Sequence, residues 1–162
     1  MRAIAGVFLL FALTSCAGEP APPPEMTNAE RGQIQAEVQA WADHWLEAAT
    51  NLDANGAAAL FDQADGHFMD GTSYRPTWQI FLTETQNLYS GWESWESQWD
   101  TRRIDVLAYD AALFVGEASG LLRYPDGREF DFGTHFSFVL RKKDGIWKGL
   151  FGQVAGSRIL RD

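Results

Sequence analysis

The stretch "EFDFGTHFSFVLRKKDGIW", residues 129–147, decides the fold. From Phe130 to Leu140 every second side chain is large and mostly aromatic, whereas most of those between are polar or small. Because successive side chains of a strand point to opposite faces, this period of two predicts a strand with one aromatic face. That face comprises Phe130, Phe132, Thr134, Phe136, Phe138 and Leu140, and the other face comprises Asp131, Gly133, His135, Ser137 and Val139.

Two turn signals bracket this strand. Pro125-Asp126-Gly127 precedes it and Lys143-Asp144-Gly145 follows it, and both have the composition of hairpin turns. Further strands are predicted from Ala111 to Tyr124 and from Ile146 to Ser157. The stretch "GWESWESQWD", residues 91–100, suits a helix or a strand, and the strands after it favour a long strand that begins in its second half. The second half of the chain therefore predicts four antiparallel strands in a meander.

The segment from residue 27 to residue 90 has mainly helical periodicity. Thr27 and Glu30 match a capping box, which predicts the start of a helix. A short second helix is predicted over Ala57–Phe61, a brief strand over Gly66–Asp70, and a third helix from Pro76. The apolar stripe of the first helix comprises Ile34, Val38, Trp41, Trp45, Ala48 and Leu52. The pattern predicts an α+β domain, with three helices against a strongly curved, mainly antiparallel sheet.

The first 26 residues differ in composition from the rest. Residues 1–15 combine Arg2 with an apolar run, as a signal peptide does. Leu13-Thr14-Ser15-Cys16 resembles the lipobox of bacterial lipoproteins, which implies acylation of Cys16, and the alanine after it resembles outer-membrane sorting. A plain secretory signal with an incidental cysteine is the alternative. Residues 16–26 hold four of the six prolines and predict an extended tether, which leaves 27–162 as the domain.

Composition limits the function classes. The net charge of -9 argues against binding to nucleic acid and against electrostatic docking on anionic lipid. Cys16 is the only cysteine, so a disulfide within the chain is excluded. His44, His67 and His135 are too dispersed for a recognisable metal site, and no motif for a cofactor is present. Seven tryptophans must fill a core, line a cavity, or both.

The order of elements, with "AALF" at residues 58–61 and "DGIWK" at residues 144–148, resembles the nuclear-transport-factor-two-like superfamily. Within it the chain looks most like the SnoaL-like and ketosteroid-isomerase-like branch. The resemblance covers nearly all of residues 27–162. It implies a cone of helices packed into a bent sheet, a pocket at the open end, and often a dimer through the outer sheet face.

The resemblance also assigns positions. The general base of the steroid isomerases falls on Asp70, with one inserted residue, and Gly149–Gly152 resembles a pocket-lining stretch. The two oxyanion donors of those enzymes fall on Trp45 and Thr134, which are neither a tyrosine nor a protonated carboxylic acid. The base position is therefore kept while the electrophilic half is replaced.

Two acidic residues are catalytic candidates. Asp70 would act as a general base if apolar neighbours desolvated it, and otherwise it closes the turn at Gly71. Glu117 alternates with Leu113, Val115, Ser119 and Leu121, which the resemblance places inward, and there it would pair with Asp70 or Arg103. A rim or cross-strand ion pair is the alternative for Glu117.

Nine side chains are predicted to wall a ligand pocket. They are Trp41, Trp45, Phe68, Trp78, Phe132, Thr134, Phe136, Phe151 and Gln153. The aromatic ones have a second interpretation, because aromatic residues at helical spacing commonly fill a core.

Three functions remain open. The first is a lipid-anchored protein of the bacterial cell envelope, on the periplasmic face of the outer membrane, whose domain binds a small hydrophobic or amphipathic ligand. The second is an enzyme of the isomerase, dehydratase or cyclase type, with Asp70 as general base and Glu117 or Gln153 in support. The third is a protein-interaction module that uses the outer sheet face, through which a homodimer is also predicted.

Overall fold

The computed structural model describes residues 25–71 and 73–161. The predicted signal peptide, Cys16 and the tether up to residue 24 lie outside this part of the chain. The elements in chain order are α1 (Asn28–Thr50), α2 (Ala54–Ala59), β1 (His67–Asp70), β2 (Ser73–Arg75), α3 (Trp78–Ser90), β3 (Ser94–Ala108), β4 (Ala111–Arg123), β5 (Glu129–Lys143) and β6 (Ile146–Leu160). No helix among the described residues is both long enough and apolar enough to cross a membrane.

The strands form one six-stranded sheet in the order β2-β1-β6-β5-β4-β3. The predicted antiparallel meander of β3 to β6 is confirmed. β1 joins the sheet by pairing parallel with β6, and β2, which was not predicted, adds an antiparallel edge. Register shifts in β3 and β6 mark bulges, which bend the sheet around the helices. The predicted α+β architecture is therefore confirmed.

Helix α1 begins as predicted. Thr27 is its N-cap, and the reciprocal hydrogen bonds with Glu30 complete a capping box. The buried face of α1 lies mainly against β3, and it includes Ile34, Val38, Trp41 and Trp45. The two other helices start away from their predicted positions. Helix α2 begins earlier than predicted, at Ala54, and Asp53 caps it. Helix α3 begins at Trp78, two residues after the start predicted at Pro76, because Thr77 is its N-cap.

A cluster of aromatic rings fills the space between α1 and the sheet. Phe138, fully buried in β5, lies at its centre with ring centroids 5.1 Å from Trp45 and 5.3 Å from Trp41. The burial of Phe132, Phe136, Phe138 and Leu140, and the exposure of Gly133 and His135, confirm the predicted faces of β5. Helix α1 is tied to the last hairpin by Glu37, whose carboxylate accepts from Lys142 Nζ at 2.6 Å and Trp147 Nε1 at 2.8 Å. These two bonds, the one from Lys142 first, lower the pKa of Glu37 to about 2.

Of the two interpretations of Glu117, the inward orientation is wrong, and the alternative of a cross-strand pair agrees with the structure. Strand β4 buries Ala112, Phe114, Gly116 and Ala118, and it leaves Val115 and Glu117 exposed. The ring of Phe114 stacks on that of Phe138 at 5.9 Å, and a side chain at Gly116 would collide with Phe114 and Trp99. Because this packing fixes the face of β4, Glu117 lies on the outer face with its Oε1 3.3 Å from His135 Nδ1. Whether a second copy pairs on that face stays a prediction.

A bulge in β6 overturns two further predictions. The partner of Val139 is Phe151 and that of Leu140 is Gly149, so Leu150 is an extra residue in the ladder. Beyond the bulge, Gly152 and Val154 face inward, and Gly152 lies directly against the ring of Phe68, with no room for a Cβ. Phe151 and Gln153 consequently face outward, where the ring of Phe151 lies 5.4 Å from that of His67.

Candidate functional site

A cavity of about 150 Å³ opens between α3 and the inner face of the sheet. Five of the nine predicted pocket residues line it: Trp45, Phe68, Phe132, Thr134 and Phe136. They come from α1, β1 and β5, whose inward faces converge at this end of the fold. Asp70, the predicted base, also lies on its wall. We call this cavity the ligand pocket.

The other four predicted residues lie elsewhere. Trp41 is part of the aromatic core, and its Nε1 donates to the Leu60 carbonyl at 3.2 Å. Trp78 donates from Nε1 to the Ala58 carbonyl at 2.7 Å, which fixes the start of α3 on α2. Phe151 and Gln153 face outward for the reason given above. The aromatic stripe of α1 thus serves both core and pocket.

A second group of aromatic side chains lies at the pocket and was not predicted there. Tyr89, Trp92 and Trp95 line the pocket together with Leu122, and neighbouring rings in this group lie 5.4 to 6.1 Å apart. Burial raises the pKa of the Tyr89 phenol, and the charge of Asp53 adds to that effect. The sequence contained one signal for this group: Trp92 and Trp95 lie close together where the chain passes from the end of α3 into β3.

Asp70 pairs with an arginine, Arg75, and not with the predicted carboxylate of Glu117. Its Oδ2 is 3.5 Å from Nη2 of Arg75, and its side chain is 45% exposed. Arg75 is only 12% exposed, and it also pairs with Glu84 of α3. The Gly71 amide donates to the Val154 carbonyl at 2.8 Å, so the adjacent turn does not use Asp70 to satisfy that amide. Glu117 and Gln153, predicted to support Asp70, both face the other side of the sheet.

A second arginine, which the sequence analysis did not single out, lies at the pocket. Arg158, near the end of β6, has its guanidinium carbon 5.4 Å from the ring centroid of Trp92. Its Nη1 donates to the hydroxyl of Tyr124 at 3.0 Å. The charged groups lining the pocket are therefore Asp70, Arg75 and Arg158. Within residues 25–71 and 73–161, no three His, Cys, Asp or Glu side chains are grouped so that they could hold a metal ion.

Solved structures share this fold. A protein assigned as a scytalone dehydratase from Novosphingobium aromaticivorans superposes with a TM-score of 0.75 at 12% identity, covering 84% of this chain and 91% of that one. A hexachlorocyclohexane dehydrochlorinase from Novosphingobium barchaimii gives 0.69 at 14%, covering 83% and 93%. A ketosteroid isomerase-like protein from Erwinia carotovora gives 0.69 at 17%, covering 75% and 94%. At such identities the likeness concerns the fold alone.

The sequence itself was compared with curated proteins and with protein families. No curated protein matches it. The sequence profile of the SnoaL-like domain matches residues 38–153, a span that runs from the middle of α1 into β6 and includes β1 to β5 completely. The chain therefore belongs to the SnoaL-like domain family.

Proposed function

We propose that this chain is a lipid-anchored protein of the bacterial cell envelope whose SnoaL-like domain binds a small, mainly apolar molecule. The observation that supports ligand binding is the ligand pocket itself, a cavity of about 150 Å³ walled mostly by aromatic and aliphatic side chains. An apolar cavity of roughly this volume accommodates a molecule the size of benzene. A few polar groups around an apolar concavity are the usual composition of a small-molecule site.

The arrangement of rings supports a ligand with one aromatic or alicyclic ring. Phe68 and Phe81 stack at 4.5 Å and form one rigid wall, and Trp45 and Phe136, 5.1 Å apart, form the floor. A ring-shaped ligand would therefore find both faces and edges of aromatic rings to contact.

Binding is tested with neutral one-ring probes. Toluene, indole and cinnamamide are titrated into the purified protein, and binding is followed by isothermal titration calorimetry and by nuclear magnetic resonance of the tryptophan indole protons. We expect at least one probe to bind with a dissociation constant below about 1 mM, the affinity within reach of a ligand of so few atoms. Native mass spectrometry of the protein as purified is expected to show a retained small molecule. A panel without a single binder and a protein without a retained molecule would together contradict the proposal.

The proposed anchor is the acylated thiol of Cys16. Replacing this residue, in Cys16→Ser, is expected to move the protein from the membrane fraction to the soluble fraction, because one residue would carry the whole lipid attachment. Quantitative immunoblotting of fractionated cells measures the change. Membrane retention of Cys16→Ser equal to that of the wild type would rule the anchor out. Fractionation of inner from outer membranes tests the proposed outer-membrane location of the wild-type protein.

Catalysis is a second candidate, and the position of Asp70 on the pocket wall favours it. Three structural neighbours are named as a dehydratase, a dehydrochlorinase and an isomerase-like protein. A carboxylate at the edge of an apolar pocket can remove a proton from a carbon acid bound there. Deuterium uptake by 2-tetralone from heavy water, followed by nuclear magnetic resonance, would test this. Equal rates for the wild type and Asp70→Asn would exclude Asp70 as the base.

A further inference from the structure

Arg158 is held at the wall of the ligand pocket by two contacts. Its guanidinium lies over the ring of Trp92, with 5.4 Å from Cζ to the ring centroid, and its Nη1 donates to the Tyr124 hydroxyl at 3.0 Å. Trp92 follows α3, whereas Tyr124 follows β4, so the side chain bridges two segments that are distant in the sequence. Stacking on an aromatic face and one hydrogen bond orient the planar group.

Most of the donors of Arg158 have no acceptor from the described chain. A guanidinium carries five N–H groups, and the hydrogen bond to Tyr124 uses one of them. Seven of the nine arginines in residues 25–71 and 73–161 lie within 4.0 Å of a carboxylate oxygen, but Arg158 does not. The remaining edge of the guanidinium is thus an open fork of parallel donors, which matches the two oxygens of a carboxylate.

The other cation on the pocket wall, Arg75, is already paired with carboxylates. Asp70 and Arg75 face each other at 3.5 Å, and Arg75 also pairs with Glu84. Asp70 is opposite Val154 in the β1–β6 ladder, four residues before Arg158. Four residues of a strand span roughly 13 Å. An anion at Arg158 is therefore far from the Asp70 carboxylate, in a chain whose net charge is -9.

We propose that the ligand of this pocket is an aromatic or alicyclic monocarboxylate, with its ring in the cavity and its carboxylate on the guanidinium of Arg158. This inference rests on the proposed binding function and specifies the class of ligand. Arg158 is the one cation on the described pocket wall that no carboxylate of the described chain neutralises. The site therefore matches a ligand with a single negative charge. Trp92 and Trp95 line the same cavity as Arg158, where they would contact the ring of such a ligand. Arg158 is thus a specificity-determining residue.

The experiment compares two probes of the same shape. Cinnamate and cinnamamide share a phenyl ring and differ in charge, and both are titrated calorimetrically into the wild type, Arg158→Gln and Arg103→Gln at neutral pH. Arg103 is a matched control because it is 76% exposed, pairs with Asp105 and does not line the pocket. We expect the wild type and Arg103→Gln to bind cinnamate about fivefold more tightly than cinnamamide, the size of effect an exposed ion pair supports.

In Arg158→Gln the preference for cinnamate over cinnamamide should disappear, and residual binding of both probes would show that the pocket is intact. Equal binding of the two probes by the wild type, or a preference that survives in Arg158→Gln, would overturn the carboxylate proposal and leave ligand binding in place. Failure of both probes to bind the wild type would count against the pocket and the carboxylate proposal together.

Discussion

Replacing Phe138 with alanine is expected to lower the free energy of unfolding by about 4 kcal/mol, within the 3–5 kcal/mol typical of such truncations. The side chain is fully buried, so the substitution removes its whole apolar surface and leaves a cavity in the core. Its ring also contacts five other rings at centroid distances of 5.1 to 6.0 Å, those of Trp41, Trp45, Phe61, Phe114 and Phe136. Each such pair adds to the burial term.

Urea denaturation followed by tryptophan fluorescence measures the change. The matched control is Val139→Ala, the next residue in β5, which faces the outer side of the sheet and is only partly buried. It is expected to cost less than about 1.5 kcal/mol, because a smaller and less buried side chain loses less transfer free energy. Equal losses for the two variants would mean that β5 does not present Phe138 to the core. A domain of ordinary stability, about 5–15 kcal/mol, would remain folded in both.

This central position of Phe138 was visible in the sequence. Its alternation with polar or small residues, between two hairpin turns, predicted both the strand and its buried face. The capping box at Thr27 likewise predicted the start of α1, because both of its hydrogen bonds are local. Both features depend on residues near each other in the chain, and both were predicted correctly.

The orientation of β4 was not visible from β4 alone. Both of its faces carry apolar side chains, so alternation does not decide between Leu113 and Phe114. The pairing across the hairpin does decide, because the large ring of Phe136 lies opposite Gly116. Cross-strand partners lie on the same face of the sheet, and a glycine leaves room for the ring of the phenylalanine opposite it. Counting the register back from the turn would have placed Glu117 outside.

The bulge at Leu150 had no comparable signal. One inserted residue moves every later side chain of the strand to the opposite face of the sheet. Gln153 therefore lies on the outer face and not in the pocket, where it was expected. Trp92 and Arg158 are 66 positions apart in the sequence, and their contact follows only from the assembled sheet. The aromatic half of the pocket was therefore partly predicted, whereas the position of its cation depends on long-range pairing.

The last prediction concerns the cavity volume. Thr85 of α3 is buried and lines the ligand pocket, so the ring introduced by Thr85→Phe would point into the cavity. A phenyl group is the size of the benzene that such a cavity accommodates, so the ring would occupy the ligand's place. A probe that can no longer bury about 100 Å² of apolar surface loses roughly 2.5 kcal/mol of binding free energy. Cinnamamide is therefore expected to bind at least about 30-fold more weakly to this variant than to the wild type.

Two matched variants distinguish filling of the cavity from a general loss of structure in α3. Thr83→Phe places the same ring on the exposed side of α3, and Thr85→Val changes the polarity at the pocket without filling it. Both should bind cinnamamide within about threefold of the wild type, a difference smaller than 1 kcal/mol. Because the new ring fills an existing cavity, the melting temperature of Thr85→Phe should be no lower than that of Thr83→Phe. Undiminished binding by a folded Thr85→Phe would place the ligand outside this cavity, and the function proposed for the pocket would then be wrong.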